Sequence, residues 1–274
     1  MRLDLFVLLT GCSIVVFALT MTFVPLMPAW SNHVARAGLL IAFGALWWAA
    51  RGQSPLGRFR PVFFAGLASV TGLSLGFYLG DWGLGLMGLT TSTPVGIAMA
   101  KFWQALLTVV GILMVAKLCG EDLASLYIRK GRLLAGLGVG LAAGAVCLLL
   151  ALQQPGIKAL GTARLLSIAP WALLFVLANG LMEELLFRGL FLGRYERLLG
   201  SWPAVLATAL AFTLAHLQVT YAPDRVAFLL VTFGFAILWG WLMQKTRSLW
   251  GSALFHAGAD LLIILPIFSS LRAV

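Results

Sequence analysis

Five ionisable side chains stand inside apolar stretches of the sequence, where a charge is costly. Glu183 and Glu184 follow a long apolar run, and His216, His256 and Asp260 are also flanked by apolar residues. A charged side chain at the centre of a bilayer costs about 2.5 to 3.5 kcal/mol on insertion scales, and such residues usually face a bundle interior or a wet cavity. We therefore expect these side chains to form a functional site.

The spacing of the first group separates the two glutamates. Glu184 and Arg188 are four residues apart with the acid first, which is the favoured orientation for an ion pair within a helix. Glu183 points about 100° away around the same helix. We expect Glu184 to be structural and Glu183 to be available for chemistry.

The other two groups have the same spacing. Phe212 and His216 are four residues apart, as are His256 and Asp260, so each pair shares one helix face. Three helices can then present Glu183, His216 and the His256/Asp260 pair to one cavity.

These groups are the parts of a hydrolase. A carboxylate beside a histidine in a cavity of low dielectric constant can hold and deprotonate a water molecule, and a second histidine can donate to a developing oxyanion. The sequence has no evident Ser or Cys nucleophile with a base, and no HExxH pattern. Direct attack by water is the economical mechanism. Zinc bound by Glu183, His216 and His256 is the alternative.

The composition places this site in a membrane. Of the 274 residues, 61% are hydrophobic and 10% charged, and the mean hydropathy is +1.01, whereas a soluble domain has about 25% charged residues. We predict an all-α polytopic transmembrane bundle of eight or nine helices with an intramembrane polar cavity. The predicted segments are 5–30, 34–50, 61–80, 95–116, 133–152, 166–187, 203–217, 226–244 and 249–268.

The basic residues bear on topology. The net charge is +10, but the cations stand singly in short gaps between apolar runs, which favours topology determinants over nucleic-acid binding. Their distribution predicts a cytoplasmic N-terminus in a multi-pass cell (inner) membrane protein. Lys101 and Arg188 fall within apolar segments and need another explanation. Gly136, Gly140 and Gly144 repeat on one helix face and predict a close helix contact.

Three motifs in order resemble a known family. Glu183–Arg188 matches EExxxR, Phe212–His216 matches FxxxH, and His256–Asp260 matches a third motif that is HxxxN in most members of the CPBP family. That family comprises the type 2 CAAX prenyl proteases and the bacterial Abi-like intramembrane endopeptidases. The resemblance covers roughly residues 166–268. We therefore divide the chain into 1–165, transmembrane helices without a diagnostic motif, and 166–274, the catalytic helices.

The resemblance implies a glutamic-type intramembrane endopeptidase without a metal cofactor. Glu183 and His216 would activate the water, and His256 would stabilise the oxyanion. Asp260 departs from the usual Asn, and an ionised Asp cannot donate a hydrogen bond. We expect Asp260 to accept from His256 and to orient it. Glu184, Arg188 and Phe212 would support the site.

The substrate class follows only in outline. We expect a peptide bond of a membrane-associated protein or peptide, and the sequence assigns no oligomeric state. Two other classes of function are a non-catalytic immunity or scaffold protein of the same fold and a proton-coupled transporter. A transporter should show internal repeats with broken helices, and no convincing repeat is present.

The segment 203–217 is short for a span. Fifteen residues rise about 22 Å, whereas the hydrocarbon core is roughly 30 Å thick. We predict that this helix stops within the membrane and that residues 218–225 line or cap the cavity.

Overall fold

The computed structural model describes residues 3–21, 28, 30–222 and 224–271, and helices are the only regular secondary structure in that part of the chain. The α-helices are α1 Leu3–Thr20, α2 Trp30–Ala49, α3 Arg60–Leu86, α4 Pro94–Cys119, α5 Leu133–Leu152, α6 Pro155–Lys158, α7 Thr162–Glu184, α8 Leu192–Leu199, α9 Ser201–Leu214, α10 Arg225–Thr246 and α11 Leu249–Ser270. A π-helical turn, Leu185–Gly189, joins α7 to α8, and two 3-10 turns, Gly57–Phe59 and Leu123–Leu126, lie before α3 and after α4.

Seven helical stretches of the described residues are long and apolar enough to cross a membrane. They include α1, α3, α4, α5, α7, α10 and α11. The protein is therefore a multi-pass membrane protein, and the predicted helical bundle is confirmed.

The two remaining predicted spans are helical but do not meet this description. The predicted segment 34–50 is α2, whose first turns carry Asn32, His33 and Arg36, so its mean hydropathy is lower. The predicted segment 203–217 is α9, which has only 14 residues.

Two predicted segments differ by six or more residues from a helix end in the structure. The first predicted segment, 5–30, corresponds to α1, which ends at Thr20, and residues 22–27 and 29 lie outside the described residues. The segment 61–80 corresponds to α3, which continues through Gly80, Gly83 and Gly85 and ends at Leu86.

Glycines set a close helix contact between α5 and α11. A side chain at Gly140 would collide with the backbone of Gly251, and one at Gly258 with that of Gly144. The predicted role of the four-residue glycine repeat in packing is confirmed.

A further glycine brings α7 against α11 at the depth of the candidate site. A Cβ atom at Gly180 would lie 2.8 Å from the carbonyl oxygen of Ala253 and 3.0 Å from the nitrogen of Ala257. Such a distance is too short for real atoms, so only glycine lets these backbones approach so closely. Glu183 and Glu184, one turn later on α7, therefore lie beside α11.

Candidate active site

The four candidate catalytic residues line one cavity. Glu183 from α7, His216 after α9, and His256 and Asp260 from α11 all contribute to a cavity of about 460 Å³. Most of its other walls are aromatic and aliphatic side chains. The structure thus brings together residues that are up to 77 positions apart in the chain.

Glu184 lies behind the cavity in a fully buried ion pair. Arg188 Nη1 donates to Glu184 Oε1 at 2.8 Å, and both side chains have 0% exposure. Arg188 Nη2 donates to the carbonyl oxygen of Ala236 at 3.2 Å, and the guanidinium carbon lies 4.5 Å from the ring centroid of Phe212. The geometry agrees with the ion pair that the four-residue spacing predicts.

The same carboxylate fixes His256. His256 Nδ1 lies 2.9 Å from Glu184 Oε1, and because a carboxylate accepts, Nδ1 carries the proton. Ser252 donates to the other oxygen of Glu184, and the indole of Trp239 stacks on the imidazole with centroids 3.9 Å apart and planes at 7°. The ring of His256 is therefore held on its edge and on its face.

The structure corrects the prediction that Asp260 accepts a hydrogen bond from His256 and orients it. Asp260 Oδ1 lies 3.6 Å from His256 Nε2, which is longer than a hydrogen bond, and Asp260 Oδ2 accepts instead from Asn179 Nδ2 at 2.9 Å. The reason is the close approach of α7 to α11, which places Glu184 within reach of Nδ1. Glu184, not Asp260, orients His256.

Glu183 faces the opposite nitrogen of the same ring. Glu183 Oε2 lies 3.5 Å from His256 Nε2, the glutamate is 6% exposed, and Oε2 makes no hydrogen bond to any described residue. A buried carboxylate oxygen in this position is available to accept from a water molecule in the cavity.

His216 is held by the backbone one turn earlier. Its Nδ1 lies 2.8 Å from the carbonyl oxygen of Phe212, and because a carbonyl only accepts, Nδ1 is the donor. In the neutral ring Nε2 is then the basic nitrogen. The ring of Phe212 lies between the two histidines, 4.5 Å from the centroid of His216 and 5.5 Å from that of His256.

Two polar residues of the site were not predicted from the sequence, although their spacing from the catalytic residues indicates them. Asn179 stands four residues before Glu183, and Ser252 stands four residues before His256. In a helix this spacing places each on the face of its catalytic neighbour. Both side chains bond to carboxylates of the site, Asn179 to Asp260 and Ser252 to Glu184.

Lys101 comes from α4, in the part of the chain without a diagnostic motif. It lines the cavity together with Glu183 and Asp260, and its Nζ lies 5.6 Å from the ring centroid of Phe175. Among the described residues no carboxylate oxygen lies within 4 Å of Nζ. The cavity therefore contains a cation that faces its two carboxylates without touching them.

The segment after α9 also reaches the cavity. Tyr221 lines it and packs edge-on against Phe228, with centroids 5.7 Å apart. Partial burial raises the pKa of the Tyr221 phenol, and the charges of Glu183 and Asp260 raise it further. The hydroxyl is therefore protonated and can donate. Of the predicted capping segment 218–225, Pro223 lies outside the described residues.

A wide turn follows the two glutamates. The π-helical turn Leu185–Gly189 begins directly after Glu184, and the amide of Leu190 donates to the carbonyl of Leu185, five residues earlier, at 2.9 Å. Such turns within helices occur frequently at functional sites. No residue pattern in the sequence predicted it.

The side chains of the cavity can be compared with the ligands that the zinc alternative requires. The described residues contain no group of three or more His, Cys, Asp or Glu side chains arranged to hold a metal ion. Nδ1 of each histidine is engaged in a hydrogen bond, which leaves Nε2 of each ring as the nitrogen available for chemistry.

Comparison with known proteins addresses the family. Residues 165–262 match the family model of Rce1-like type II CAAX prenyl endopeptidases, and this stretch contains all four candidate catalytic residues. No curated protein and no solved structure shows significant similarity to the chain. The matched stretch covers 98 of the 274 residues, from α7 into α11. Residues 165–262 are therefore similar to the Rce1-like type II CAAX prenyl endopeptidases, a family of proteases.

Proposed function

We propose that the protein is a glutamic-type intramembrane endopeptidase, in which Glu183 and His216 activate a water molecule. The observation that carries the proposal is the buried Oε2 of Glu183, which bonds to no described residue and faces a cavity that His216 and His256 also line. The match to a protease family supports it.

The reaction needs one base and one acid, and a single carboxylate can serve as both. Glu183 takes one proton from the water molecule as the water oxygen bonds to the scissile carbonyl carbon. His216 Nε2 accepts a hydrogen bond from the other O–H of the water and so orients the lone pair of the water oxygen. Glu183 then returns its proton to the amide nitrogen as the C–N bond breaks. The products are a carboxylic acid and an amine, and the site regains its starting state.

His256 is the proposed donor to the oxyanion. Three carboxylates surround its ring, at 2.9 Å, 3.5 Å and 3.6 Å, and the proposed mechanism uses the doubly protonated imidazole. In that form Nε2 carries a proton that can bond to the oxyanion. Asp260, as a carboxylate, accepts from Asn179 and makes no oxyanion contact.

The proposed substrate is a membrane-associated protein or peptide. The cavity is walled mainly by apolar side chains, and the family is described by its action on CAAX prenyl substrates. A C-terminal peptide with a lipid-modified cysteine is thus the first substrate to test. The proposed location is the cell membrane, with the N-terminus on the cytoplasmic side.

The test is a cleavage assay with purified protein in lipid nanodiscs. The substrates are a farnesylated peptide ending in a CAAX-type sequence and a library of membrane-anchored peptides, with products located by mass spectrometry. We expect the native protein to cleave and Glu183→Gln to show at least about a 10³-fold loss, as for removal of an essential catalytic group.

A matched control comes from the third histidine. His33 lies outside the cavity, with its Nδ1 2.8 Å from the hydroxyl of Tyr78. His33→Ala should retain activity, whereas His216→Ala and His256→Ala should lose it. Native-like cleavage by Glu183→Gln would overturn the mechanism, and no cleavage of any peptide by the native protein would favour the scaffold function.

A further inference from the structure

A second polar concavity shares no lining residue with the cavity of the catalytic residues. We call it the basic pocket, and its volume is about 590 Å³. The side chains that matter for its chemistry are Arg132, Glu196, Trp202, Trp241, Lys245 and Arg247.

The pocket carries an excess of positive charge. Arg247 is paired with Glu196, with nitrogen–oxygen distances of 2.9 Å and 3.4 Å. Arg132 and Lys245 form no ion pair with any described residue. The pocket thus offers two cations that no described carboxylate pairs with, beside a third that is held in place.

Hydrogen bonds between separate elements shape the pocket. The amide of Arg132 donates to the carbonyl of Thr246 at 2.7 Å, which fixes the start of α5 against the end of α10. Gln244 Nε2 donates to the carbonyl of Ser201 at 3.1 Å, and Ser201 Oγ donates to Glu196 at 2.8 Å. The cations therefore stand on elements whose relative positions are already set.

The pocket lies at the ends of candidate spans. α10 ends at Thr246, α11 begins at Leu249 and α5 begins at Leu133, so the pocket is at the level where the hydrocarbon core gives way to lipid headgroups. Trp202 and Trp241 flank it and are 59% and 39% exposed. Tryptophan is enriched at this depth because its ring is apolar and its N–H is polar.

We propose that the basic pocket binds the phosphate of an anionic phospholipid. Arg132 and Lys245 contact the phosphate oxygens, for which a planar guanidinium offers two parallel donors, and Trp202 and Trp241 contact the glycerol and the first carbons of the acyl chains. Basic pockets between spanning helices bind anionic headgroups in this manner. The proposal does not depend on the proposed function.

The test compares lipid binding of the full chain in neutral detergent by native mass spectrometry and thermal unfolding. The probes are phosphatidylglycerol, phosphatidylcholine and inorganic phosphate. We expect phosphatidylglycerol to bind roughly ten-fold more tightly than phosphatidylcholine, and Arg132→Gln/Lys245→Gln to remove most of this preference.

The matched control removes one Arg and one Lys elsewhere on the surface. Arg58→Gln/Lys117→Gln makes the same change in net charge at exposed positions outside the basic pocket, and it should keep the preference for phosphatidylglycerol. Retention of the preference in the pocket variant, or an equal loss in the control, would overturn the proposal. Equal binding of inorganic phosphate and phosphatidylglycerol would overturn the assignment to a lipid. Size-exclusion profiles establish that both variants are folded.

Discussion

His256 Nδ1 lies 2.9 Å from the same Glu184 oxygen that accepts from Arg188 at 2.8 Å. One buried carboxylate therefore neutralises a guanidinium and orients the imidazole that faces the cavity. This arrangement joins the stability of the helix pair to the chemistry of the site. Replacement of Glu184 and replacement of Glu183 should consequently have different effects on stability and activity.

The first prediction contrasts the two glutamates. Glu184→Gln removes the charge opposite a fully buried Arg188, and breaking such a pair costs about 3–5 kcal/mol. It also leaves one acceptor oxygen where the carboxylate has two, so the hydrogen bonds from Arg188, His256 and Ser252 cannot all be kept, and activity should fall with stability. Glu183→Gln should abolish cleavage and leave the unfolding temperature nearly unchanged, because its Oε2 bonds to no described residue.

The measurement is thermal unfolding in detergent beside the cleavage assay. Equal stability of the two variants would show that Glu184 does not hold the structure. Native activity in Glu184→Gln would show that the site does not need the negative charge of this carboxylate.

The second prediction concerns the charge balance of the cavity. Glu183 and Asp260 are two carboxylates that line the cavity, and Lys101 is a lysine that lines it with them. Because the motif that His256–Asp260 resembles has a neutral Asn at the position of Asp260, we expect Lys101 to offset the added charge. Lys101→Met should lower kcat/KM by about ten-fold or more, since contacting or coupled groups interact by 0.5–3 kcal/mol.

The check is a double-mutant cycle. Asp260→Asn in the Lys101→Met background should restore activity to within a few-fold of the native value, whereas Asp260→Asn alone should have a smaller effect. Lys117→Met is the control for loss of an exposed lysine. Strictly additive losses in the double variant would contradict the coupling.

The sequence identified the spacing within each helix but not the contacts between helices. The Glu184–Arg188 pair is local, so a four-residue spacing predicted it. The partner of His256 depends on how closely α7 approaches α11 at Gly180, which no local pattern reveals. For the same reason Asp260, the neighbour in sequence, was expected to fill the role that Glu184 has.

The long apolar helices were also predictable, because each contains its own signal. The number of candidate spans was less predictable. α2 and α9 are helical but are not among the seven long apolar stretches, and the hydropathy of a short segment does not fix how deep it lies. Lys101 appeared as an anomaly, and only the packing of α4 on α7 explains it.

The third prediction tests the close approach at Gly180. Gly180→Ala places a methyl group 2.8 Å from the carbonyl oxygen of Ala253, so α7 and α11 must separate. We expect a loss of stability of about 1–3 kcal/mol and a loss of activity, because Glu184 then draws away from His256.

Gly138 gives the matched control for that substitution. A Cβ atom there meets nothing within 4 Å, and replacing a helical glycine by alanine stabilises by about 0.5–1 kcal/mol. Gly138→Ala should therefore be neutral or stabilising and fully active. Unchanged stability and activity in Gly180→Ala would show that the two helices do not pack as described.

The fourth prediction concerns metal dependence. The described residues provide no group of three or more suitable ligands, so we expect cleavage to persist after treatment with EDTA and 1,10-phenanthroline. Metal analysis of the purified protein is the second measurement. Loss of activity that zinc restores, together with about one zinc ion per chain as in a structural or catalytic site, would favour the zinc mechanism instead.

The last prediction concerns the segment between α9 and α10. α9 has 14 residues and so rises about 21 Å, less than the roughly 30 Å of a hydrocarbon core. His216 lies just beyond its end, and Tyr221 lines the cavity. We therefore predict that this segment lies at the entrance to the site, within the membrane.

Single cysteines at positions 219–222, in a background without native cysteines, should react slowly with a membrane-impermeant maleimide and more slowly still with bound substrate peptide. Gln53→Cys, in an exposed turn after α2, is the control for free labelling. Labelling of positions 219–222 as fast as that control, with no protection by peptide, would place the segment outside the membrane and away from the substrate path.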